Sequence, residues 1–479
     1  MPRANKCKFY KERGRRTAVR LYAMQQNERN TALYEAILRL NSLDECIRFF
    51  DDLCAVTELR TMEQRYAVAG CLLQGKVYSE IRRETGASSA TVSRVNRMLN
   101  YGTGSVAESV REDLPHRASP PTQRNKEGPT MSVSIQDFGK STSGQTVKLA
   151  TLKNDFIEVQ LLSYAAIIHR IIVKDRKGNP VDVVLGYDTA ADYELNTDSM
   201  GAAVGRFANR IAGAQFPLYE EIVHITPNQN GNCLHSGLHG FNHTMFDVAL
   251  TPGETDSVTM TATSPAGTDG FPGNFELTIQ YSLAKSGLVI RYGATTDAPT
   301  VCNMTNHSYF NLNGHASGSA LGHRVTVDAD FYLEADAASI PTGRKLPVKG
   351  TPMDFTEEKT LGLDIGADFT PLTDCCGYDQ CYVIRDSGLR HAAWAVGPET
   401  GIRMEVLTTL PGVHLYTANF LAPVTAGKNG AHYAARDAVC FETEDFPDAP
   451  NHPNFPDTTL LPGKPYSSTT IYRFDLAEM

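Results

Sequence analysis

The sequence predicts a multidomain protein in which a small all-α helix-turn-helix domain precedes a large all-β sandwich. Three observations predict this order. Apolar residues recur at helical spacing up to about residue 112, and from about residue 145 they alternate with polar residues at a period of two. A polar, proline-rich stretch separates the two patterns. With 479 residues, the chain is long enough for a large β domain and a small helical partner.

The two parts differ in charge. Residues 1–112 contain 19 Lys and Arg against 13 Asp and Glu, a net charge of +6, and the remainder contains 26 against 41, a net charge of −15. A basic N-terminal part favours a polyanionic partner such as DNA, and the acidic remainder does not. Residues 1–30 are rich in Arg and Lys and predict a basic, flexible arm that adds non-specific DNA affinity. A simple solvated tail is the alternative.

Residues 31–112 predict the helical domain. The segment ALYEAILRLNSLDECIRFFDDL places five apolar residues at helical spacing: Leu33, Ile37, Leu40, Ile47 and Phe50. In TMEQRYAVAGCLL, Thr61 and Gln64 have the spacing of a capping box, which predicts a helix start. The segment KVYSEIRRETGASSATVSRVNRMLNYG then predicts a helix, a turn at Gly86 and a second helix with Ser88 as its N-cap.

The second helix of this pair has the composition of a DNA-reading helix. A helix-turn-helix domain reads base edges with residues early in its second helix, and the residues predicted here for DNA binding are Ser88, Ser89, Thr91 and Arg94. A helical hairpin with ordinary solvated charges is the alternative. Residues 30–110 resemble the Trp-repressor-related family of bacterial DNA-binding proteins, most specifically in ETGASSATVSRVNRMLNYG. The resemblance implies an intertwined homodimer formed through this domain, and names neither an effector nor an operator.

Residues 113–130, DLPHRASPPTQRNKEGPT, predict a disordered linker because they are polar, proline-rich and aperiodic. Met131 follows directly and resembles the start of a second protein. We therefore predict a second domain over residues 131–479. The chain is either a natural fusion of two genes or the product of a gene model that joined them.

The residue pattern of the second domain predicts many short strands. In FELTIQYSL, apolar and polar residues alternate strictly, AKSG forms a turn and LVIRYGATT returns as the next strand. Further strands are predicted in DFIEVQLLSYAAIIHRIIV, DSVTMTATS and HRVTVDADFYL. Many short strands with Gly, Pro, Asn and Asp in the turns indicate a β-sandwich or barrel.

Four polar stretches lie within this β-rich region: GRFANRI, NGNCLHSG, NMTNHSYFNL and CFETEDFPDAPNHPNFP. Each alone has a structural explanation, since a lone histidine is most often structural and a Glu at a strand end is usually solvated. Together, with DVVLGYD, GYDQCYV and PGVHLYTANFL, they resemble the aldose 1-epimerases, the galactose mutarotases, in the same order along the chain. The resemblance covers residues 135–478 and implies a galactose-mutarotase-like β-sandwich with an open sugar-binding cleft.

The resemblance implies three catalytic residues. Glu442 is the general base, His307 is the general acid, and His235 hydrogen-bonds near the ring oxygen of the sugar. Glu442 ends a predicted strand, and four prolines restrict the backbone that follows it: Pro447, Pro450, Pro453 and Pro456. We expect this loop to hold the base in place without regular secondary structure.

The resemblance also implies four substrate-binding residues. Asn209 and Arg210 bind sugar hydroxyls, Asp379 holds the distal hydroxyls, and His414 belongs to the same group. A free sugar is favoured over a phosphorylated one, because Arg210 is the only clear cation in this set.

Three positions depart from the commonest pattern of the family. Ser236 stands where glycine is usual, and His414 and Glu444 stand where glutamine is more frequent. Glu442 and Glu444 are two residues apart, so both face the same side of a strand. A second carboxylate raises the pKa of Glu442. These departures bear on which sugar is preferred more than on the type of reaction.

The interconversion of sugar anomers requires a base and an acid, whatever the family. A cyclic aldose changes its anomer by opening the hemiacetal, so that the C1 hydroxyl loses a proton while the ring oxygen gains one. A carboxylate and an imidazole, with reference pKa values of about 4.3 and 6.5, can both be tuned to this task. No electron or group leaves, and the sequence has no phosphate loop or dinucleotide fingerprint, so we predict no cofactor and no metal.

One spacing offers an alternative to the prediction that no metal binds. His235, His239 and His243 recur every four residues, as metal ligands on a helix do, but Gly237 and Gly240 favour a loop.

The leading hypothesis is an isomerase, an aldose 1-epimerase fused to a DNA-binding module, with a small aldose as substrate and DNA as a candidate partner. The alternative is a sugar-responsive transcriptional regulator in which the mutarotase-like domain is the sensor. No apolar run approaches the length of a membrane span, and the basic N-terminus lacks the apolar segment of a signal peptide. These features predict a cytoplasmic protein without a membrane partner, with its ten cysteines reduced.

Overall fold

The structure, a computed structural model, describes residues 43–54, 56–73, 78–88, 91–96, 132–195, 197–251, 257–424 and 426–477. The contacts between Cα atoms divide the chain into two compact units, Met1–Gln123 and Arg124–Met479. The predicted arm, the predicted linker, Met131 and Ser89 lie outside the described residues. The predicted domain boundaries therefore remain predictions.

The first unit contains four described helices: α1 (Leu43–Leu53), α2 (Val56–Leu73), α3 (Tyr78–Thr85) and α4, residues 91–96. Its core is small and apolar, formed by Val68, Ala69, Cys71, Ile81, Ala87, Val92 and Val95.

The turn between α3 and α4 follows the predicted helix-turn-helix pattern. Gly86 ends α3 in the left-handed conformation, with φ of 65°, which glycine adopts without strain. The hydroxyl of Ser88 accepts a hydrogen bond of 3.1 Å from the backbone N–H of Thr91, as expected of an N-cap. The predicted capping box at Thr61 is wrong, because α2 begins earlier, at Val56. Gln64 instead donates to the carbonyl of Thr85 across 3.0 Å and so links α2 to α3.

The second unit is built almost entirely of strands. Two helices of five residues interrupt them, α5 (Ala190–Glu194) and α6 (Thr370–Asp374). The described strands are β1 (Ser132–Lys140), β2 (Thr146–Lys153), β3 (Ile157–Leu162), β4 (Ile168–Lys174), β5 (Pro180–Asp182), β6 (Ala203–Val204), β7 (Arg210–Ile211), β8 (Gln215–Leu218), β9 (Glu221–His224), β10 (Cys233–Leu234), β11 (Asp247–Thr251), β12 (Ser257–Ser264), β13 (Phe275–Ala284), β14 (Gly287–Thr296), β15 (Thr300–Val301), β16 (Thr305–Asn306), β17 (Arg324–Val327), β18 (Ala329–Ala335), β19 (Pro341–Pro347), β20 (Lys359–Thr360), β21 (Asp379–Ile384), β22 (Arg390–Val396), β23 (Ile402–Thr408), β24 (Gly412–Tyr416), β25 (Cys440–Glu444), β26 (Thr459–Leu460) and β27 (Tyr466–Leu476).

Three large antiparallel sheets organise these strands. The first has the order β1-β2-β3-β4-β5, the second β11-β12-β13-β14-β27-β23-β22-β17-β20, and the third β19-β18-β21-β24-β25. One apolar core receives side chains from all three, for example Val159 of β3, Ile290 of β14 and Leu415 of β24. The sheets therefore pack face to face around a common interior, as a β-sandwich does.

The strand β13 shows why the period of two fixes which side chains enter this core. Phe275, Leu277 and Ile279 are buried, whereas Glu276 and Thr278 between them are exposed. Ala284 pairs with Gly287 across the turn, so β13 and β14 form the predicted hairpin. Within the part of the chain that the structure describes, no helix combines the length and the apolar character needed to cross a lipid bilayer.

Candidate active site

One face of the third sheet carries the polar residues of the site. Side chains alternate along a strand, so on β24 and β25 Val413, Leu415 and Phe441 enter the apolar core. His414, between Val413 and Leu415, and Glu442, next to Phe441, face the other side of the sheet and lie opposite each other in the register. The same apolar contacts that stabilise the sheet therefore determine which way the predicted base points.

The loop after β25 attaches this strand to a distant part of the chain. The backbone N–H of Asp448 donates to the carbonyl of Arg210 across 2.8 Å, and its carboxylate accepts from the backbone N–H of Ala212 across 3.0 Å. The prediction that this loop has no regular secondary structure is wrong at one point, because Ala449–Asn451 form one turn of 3₁₀ helix. Its hydrogen bonds connect the end of the Glu442 strand to β7, which carries Arg210.

A single cavity of about 190 Å³ collects the seven residues that the sequence predicts for catalysis and sugar binding. They are Asn209, Arg210, His235, His307, Asp379, His414 and Glu442. They come from segments more than 200 residues apart along the chain, and the sheet brings them to one site. The predicted DNA-binding residues Ser88, Thr91 and Arg94 belong to the other unit.

Glu442 and His307 face each other in this cavity. Oε1 of Glu442 lies 3.5 Å from Nε2 of His307, and the two residues are only 3 % and 7 % exposed. Burial disfavours charge on both groups: it raises the pKa of Glu442 to about 8 and lowers the pKa of His307 to about 4. The neighbouring carboxylate of Glu444 adds to the rise for Glu442, as expected from the sequence, but burial is the larger cause. The ring of Tyr309 stacks on the imidazole of His307 with a centroid distance of 5.0 Å.

His235 is held as a neutral hydrogen-bond donor. Its Nδ1 atom accepts a hydrogen bond of 3.2 Å from the backbone N–H of Asn209, so the ring proton resides on Nε2. Burial lowers the pKa of His235 well below its usual value, and the nearby His307 adds to this effect. Its ring packs edge-on against His307 with a centroid distance of 5.6 Å.

Arg210 and Asn209 also line the cavity and contact each other. Nε of Arg210 donates to Oε1 of Gln229 across 2.8 Å, and Nη1 donates to Oδ1 of Asn209 across 3.3 Å. These bonds fix the guanidinium and leave further N–H groups of Arg210 for a ligand.

Asp379 and His414 are two further lining residues of the cavity that contact each other. Nε2 of His414 lies 2.7 Å from Oδ1 of Asp379, and Nδ1 lies 3.2 Å from Oε1 of Glu444. Burial would raise the pKa of Asp379, but the hydrogen bond from His414 and the positive charges of His414, Arg210 and His307 together outweigh burial, and the pKa is lowered. The pKa of His414 is raised well above its usual value, because its carboxylate neighbours outweigh the opposing effect of burial.

Comparisons with known proteins agree with this geometry. Residues 148–473 match the family model of aldose 1-epimerase. The chain belongs to the aldose 1-epimerase family. It is 37 % identical to human galactose mutarotase over 348 residues, which span 72 % of this chain and 99 % of the human protein. It is 34 % identical to the aldose 1-epimerase of Escherichia coli K12 over 338 residues, 69 % of this chain and 96 % of the relative.

Solved structures of aldose epimerases share the fold of this part of the chain. An aldose epimerase homologue from C. elegans has 27 % identity and a TM-score of 0.63, and covers 73 % of this chain and 100 % of its own. A galactose 1-epimerase from Lactobacillus acidophilus has 25 % identity and a TM-score of 0.64 over the same shares. Residues 28–114 match the family model of the Trp repressor protein. Both family resemblances drawn from the sequence, to the aldose 1-epimerases and to the Trp-repressor-related proteins, are therefore confirmed. The assignment to the isomerases is confirmed with the first of them.

In this epimerase fold, the histidines spaced every four residues are not on a helix. His235 follows the short strand β10 in the left-handed conformation, with φ of 51°, and His243 ends a single 3₁₀ turn. The loop interpretation is therefore confirmed. Ser236, also with positive φ, uses its hydroxyl to accept from the backbone N–H of Phe207 across 2.7 Å, so the departure from glycine serves the structure of this loop.

A second grouping also resembles a metal site. His307, Cys440 and Glu442 offer ligand atoms within 4.8 Å of one another. However, Sγ of Cys440 lies 3.7 Å from Nδ1 of His307, whereas Glu442 approaches Nε2 on the opposite edge of the ring. This arrangement suits proton transfer at Nε2 better than the enclosure of one ion.

The cavity of the epimerase unit also contains residues that sequence reasoning missed. They are Thr197, Asp198, Ser199, Gln229, Leu234, Tyr309, Tyr416 and Phe420. Tyr309 and Tyr416 lie within motifs quoted for the resemblance, so their position near His307 and His414 was a usable signal. Nothing in the sequence around Gln229 distinguishes it from other loop amides.

Proposed function

We propose that this protein is a mutarotase that interconverts the α and β anomers of free aldohexoses such as galactose or glucose. The observation that carries the proposal is the buried pair of Glu442 and His307, 3.5 Å apart in a cavity that also contains Asn209, Arg210 and Asp379. A base and an acid are needed together, because hemiacetal opening moves one proton from the C1 hydroxyl and another to the ring oxygen.

The pair carries one exchangeable proton. With pKa values of about 8 for Glu442 and about 4 for His307, the proton resides on Glu442 in the empty cavity at neutral pH. Its transfer to His307 gives a carboxylate and an imidazolium with the same total number of protons. In that form Glu442 accepts the proton of the C1 hydroxyl while His307 donates to the ring oxygen, and the C1–O5 bond breaks.

After ring opening, Glu442 is protonated and His307 is neutral, as they were in the empty cavity. The aldehyde rotates about the C1–C2 bond and closes from its other face, with Glu442 now the acid and His307 now the base. Burial favours the neutral pair, so the cavity is matched to the open-chain intermediate. The Nε2–H of His235 is oriented to donate near the ring oxygen, and Arg210, Asn209 and Asp379 are proposed to bind the remaining hydroxyls.

The test is polarimetry on freshly dissolved α-D-galactose and α-D-glucose. We expect Glu442→Gln and His307→Ala each to lower kcat by about 100-fold or more, the usual contribution of general acid–base catalysis. Glu405→Gln and His391→Ala are matched controls, since this Glu–His pair lies on β22 and β23 at 3.2 Å and does not line the cavity. Rates near wild type in both cavity variants would overturn the assigned roles.

For the N-terminal unit we infer DNA binding, supported by the match of residues 28–114 to the Trp repressor family model. Arg82, Arg83, Ser93 and Arg94 are exposed on α3 and α4, where phosphate and base contacts are expected. A homodimer through this unit and a cytoplasmic location belong to the same proposal. Gel shifts on mixed-sequence duplex DNA, with Arg82→Gln/Arg83→Gln as the weakened variant, test it.

A regulatory role would require sugar to change DNA affinity, because two linked sites must bias each other. Repeating the gel shifts with and without galactose distinguishes the two cases. A shift in affinity supports a sugar-responsive regulator, and an unchanged affinity supports two independent activities. The mass of the native protein shows whether both units occur on one chain.

A further inference from the structure

A buried carboxylate lies behind the cavity and is not part of its lining. Glu444 is 0 % exposed, and neither of its carboxylate oxygens has a hydrogen-bond partner among the described residues. Its Oε1 atom is 3.2 Å from Nδ1 of His414, close enough for an ion pair but without the alignment of a hydrogen bond. A buried carboxylate in this state is costly unless a positive charge compensates it.

His414 is held at both edges of its ring by the protein. Nε2 contacts Asp379 at 2.7 Å, and Nδ1 is 3.2 Å from both Oε1 of Glu444 and Nδ2 of Asn209. Neither ring nitrogen is left for a sugar hydroxyl. The ring therefore acts through its neighbours, and two of them, Asp379 and Asn209, line the cavity.

We propose that Glu444 is a positioning residue that pairs with His414, so that the ring holds Asp379 in place for the sugar hydroxyls. This inference rests on the proposed mutarotase function and revises the expected role of His414, from contacting the sugar to aligning Asp379, which does. Glu444 itself touches no substrate. Its effect should appear in KM, because Asp379 is proposed to bind sugar and does not transfer protons.

The charges on this face of the sheet require such a pairing. Asp379, Glu442 and Glu444 are three buried acidic residues on β21 and β25, the two strands that flank β24, and the His414 ring lies between the first and the last. Removing the ring leaves Asp379 and Glu444 without the cation that separates them, which is strongly unfavourable for buried charges. Removing Glu444 as well takes away the excess negative charge. The pairing therefore predicts that the effect of Glu444→Gln depends on the residue at position 414.

The experiment is a double-mutant cycle with polarimetric KM and kcat for α-D-galactose. We expect Glu444→Gln alone to raise KM about threefold and His414→Gln alone to raise it about tenfold or more, with smaller changes in kcat. In the His414→Gln background, Glu444→Gln should instead lower KM by about threefold. This reversal of sign is the result that a residue needed only for folding would not give.

The control is the cycle of Glu405→Gln and His391→Gln, the pair with the same 3.2 Å separation outside the cavity, which should leave KM unchanged. If Glu444→Gln raises KM in both backgrounds, or changes it in neither, the pairing is wrong. If His414→Gln does not fold, the double variant decides: pairing predicts a folded protein with KM within about threefold of Glu444→Gln, and an unfolded or non-binding double variant overturns it.

The wild-type rate separates this inference from the proposed function. A wild-type protein that does not accelerate mutarotation overturns both. An active wild type with no reversal of sign overturns the pairing alone. ¹⁵N NMR of the imidazole at position 414 gives a readout that is independent of turnover. Its signal is assigned by its loss in His414→Gln, and it should show a protonated ring at neutral pH. A neutral ring there contradicts the pairing.

Discussion

Replacing Glu442 by glutamine should change how the stability of the β unit depends on pH. Glu442 has a pKa of about 8 in the folded chain, against 4.5 for an ordinary glutamate, because it is buried. Between these values the folded protein keeps the proton that the unfolded chain has released. Stability therefore falls as pH rises through this window, and glutamine, which carries no titratable proton, abolishes this contribution.

The expected magnitude is about 1.4 kcal/mol for each pH unit, or about 5 kcal/mol over the whole window. His307 opposes part of the pH dependence that Glu442 contributes to stability. Its pKa is lowered from 6.5 to about 4, so its contribution to stability increases with pH between these two values. The uncompensated range is pH 6.5 to 8, where the contribution of Glu442 changes by about 2 kcal/mol. Asp445, with a pKa of about 7, titrates in the same range but is present in both proteins and cancels in the difference.

Urea unfolding followed by tryptophan fluorescence measures this difference. The chain has a single tryptophan, Trp394 on β22, so the signal reports the β unit alone. Relative to wild type, the free energy of unfolding of Glu442→Gln should increase by about 2 kcal/mol between pH 6.5 and pH 8, because only wild type loses this contribution to its stability. Glu442→Asp keeps a carboxyl group and should retain a pH slope. Curves for wild type and Glu442→Gln that run parallel within about 0.5 kcal/mol would refute the assignment of a buried, protonated Glu442.

Three further predictions concern catalysis and stability. The value of kcat/KM, corrected for spontaneous mutarotation, should fall about tenfold per pH unit above pH 8 as Glu442 loses the shared proton, and a flat profile to high pH would contradict this. Ile279→Ala, at a fully buried position, should cost about 2 to 5 kcal/mol in urea unfolding, and a negligible cost would show that the core is misassigned. Lys428→Met removes a fully buried ammonium 2.6 Å from Asp182 and should cost about 3 kcal/mol or more; equal midpoints would show that this ion pair does not stabilise the fold.

Much of the fold could be predicted from local patterns. The alternation in FELTIQYSL fixed both the strand β13 and its buried face, and the turn that follows it fixed the hairpin with β14. The start of α2 could not be fixed in the same way, because the Thr61–Gln64 spacing also occurs inside a longer helix. Capping residues indicate a helix start only where the preceding residues are not helical. The residues before Thr61 are helical from Val56 onward, so the spacing does not mark the start.

The site residues could be named from their motifs, but their contacts could not. Asp379, His414 and Glu442 lie on three strands whose pairing is set by contacts far apart in sequence. Only the register shows that His414 lies opposite Glu442 and that Glu444 approaches it from behind the cavity. A period of two says which side a residue faces, and does not say which residue of another strand it meets.

The apolar pattern of β25 and the geometry of the proposed site nevertheless depend on the same strand register. A slip of one residue in β25 would turn Phe441 out of the core and place Glu442 inside it. Such a register would lose an apolar side chain from the interior and bury a carboxyl group away from His307, so the packing that stabilises the sheet also excludes the misplaced base. The four-proline loop and its hydrogen bonds to β7 then limit the freedom of the strand end. The core behind β25 therefore fixes the register on which the geometry of the proposed acid–base pair depends.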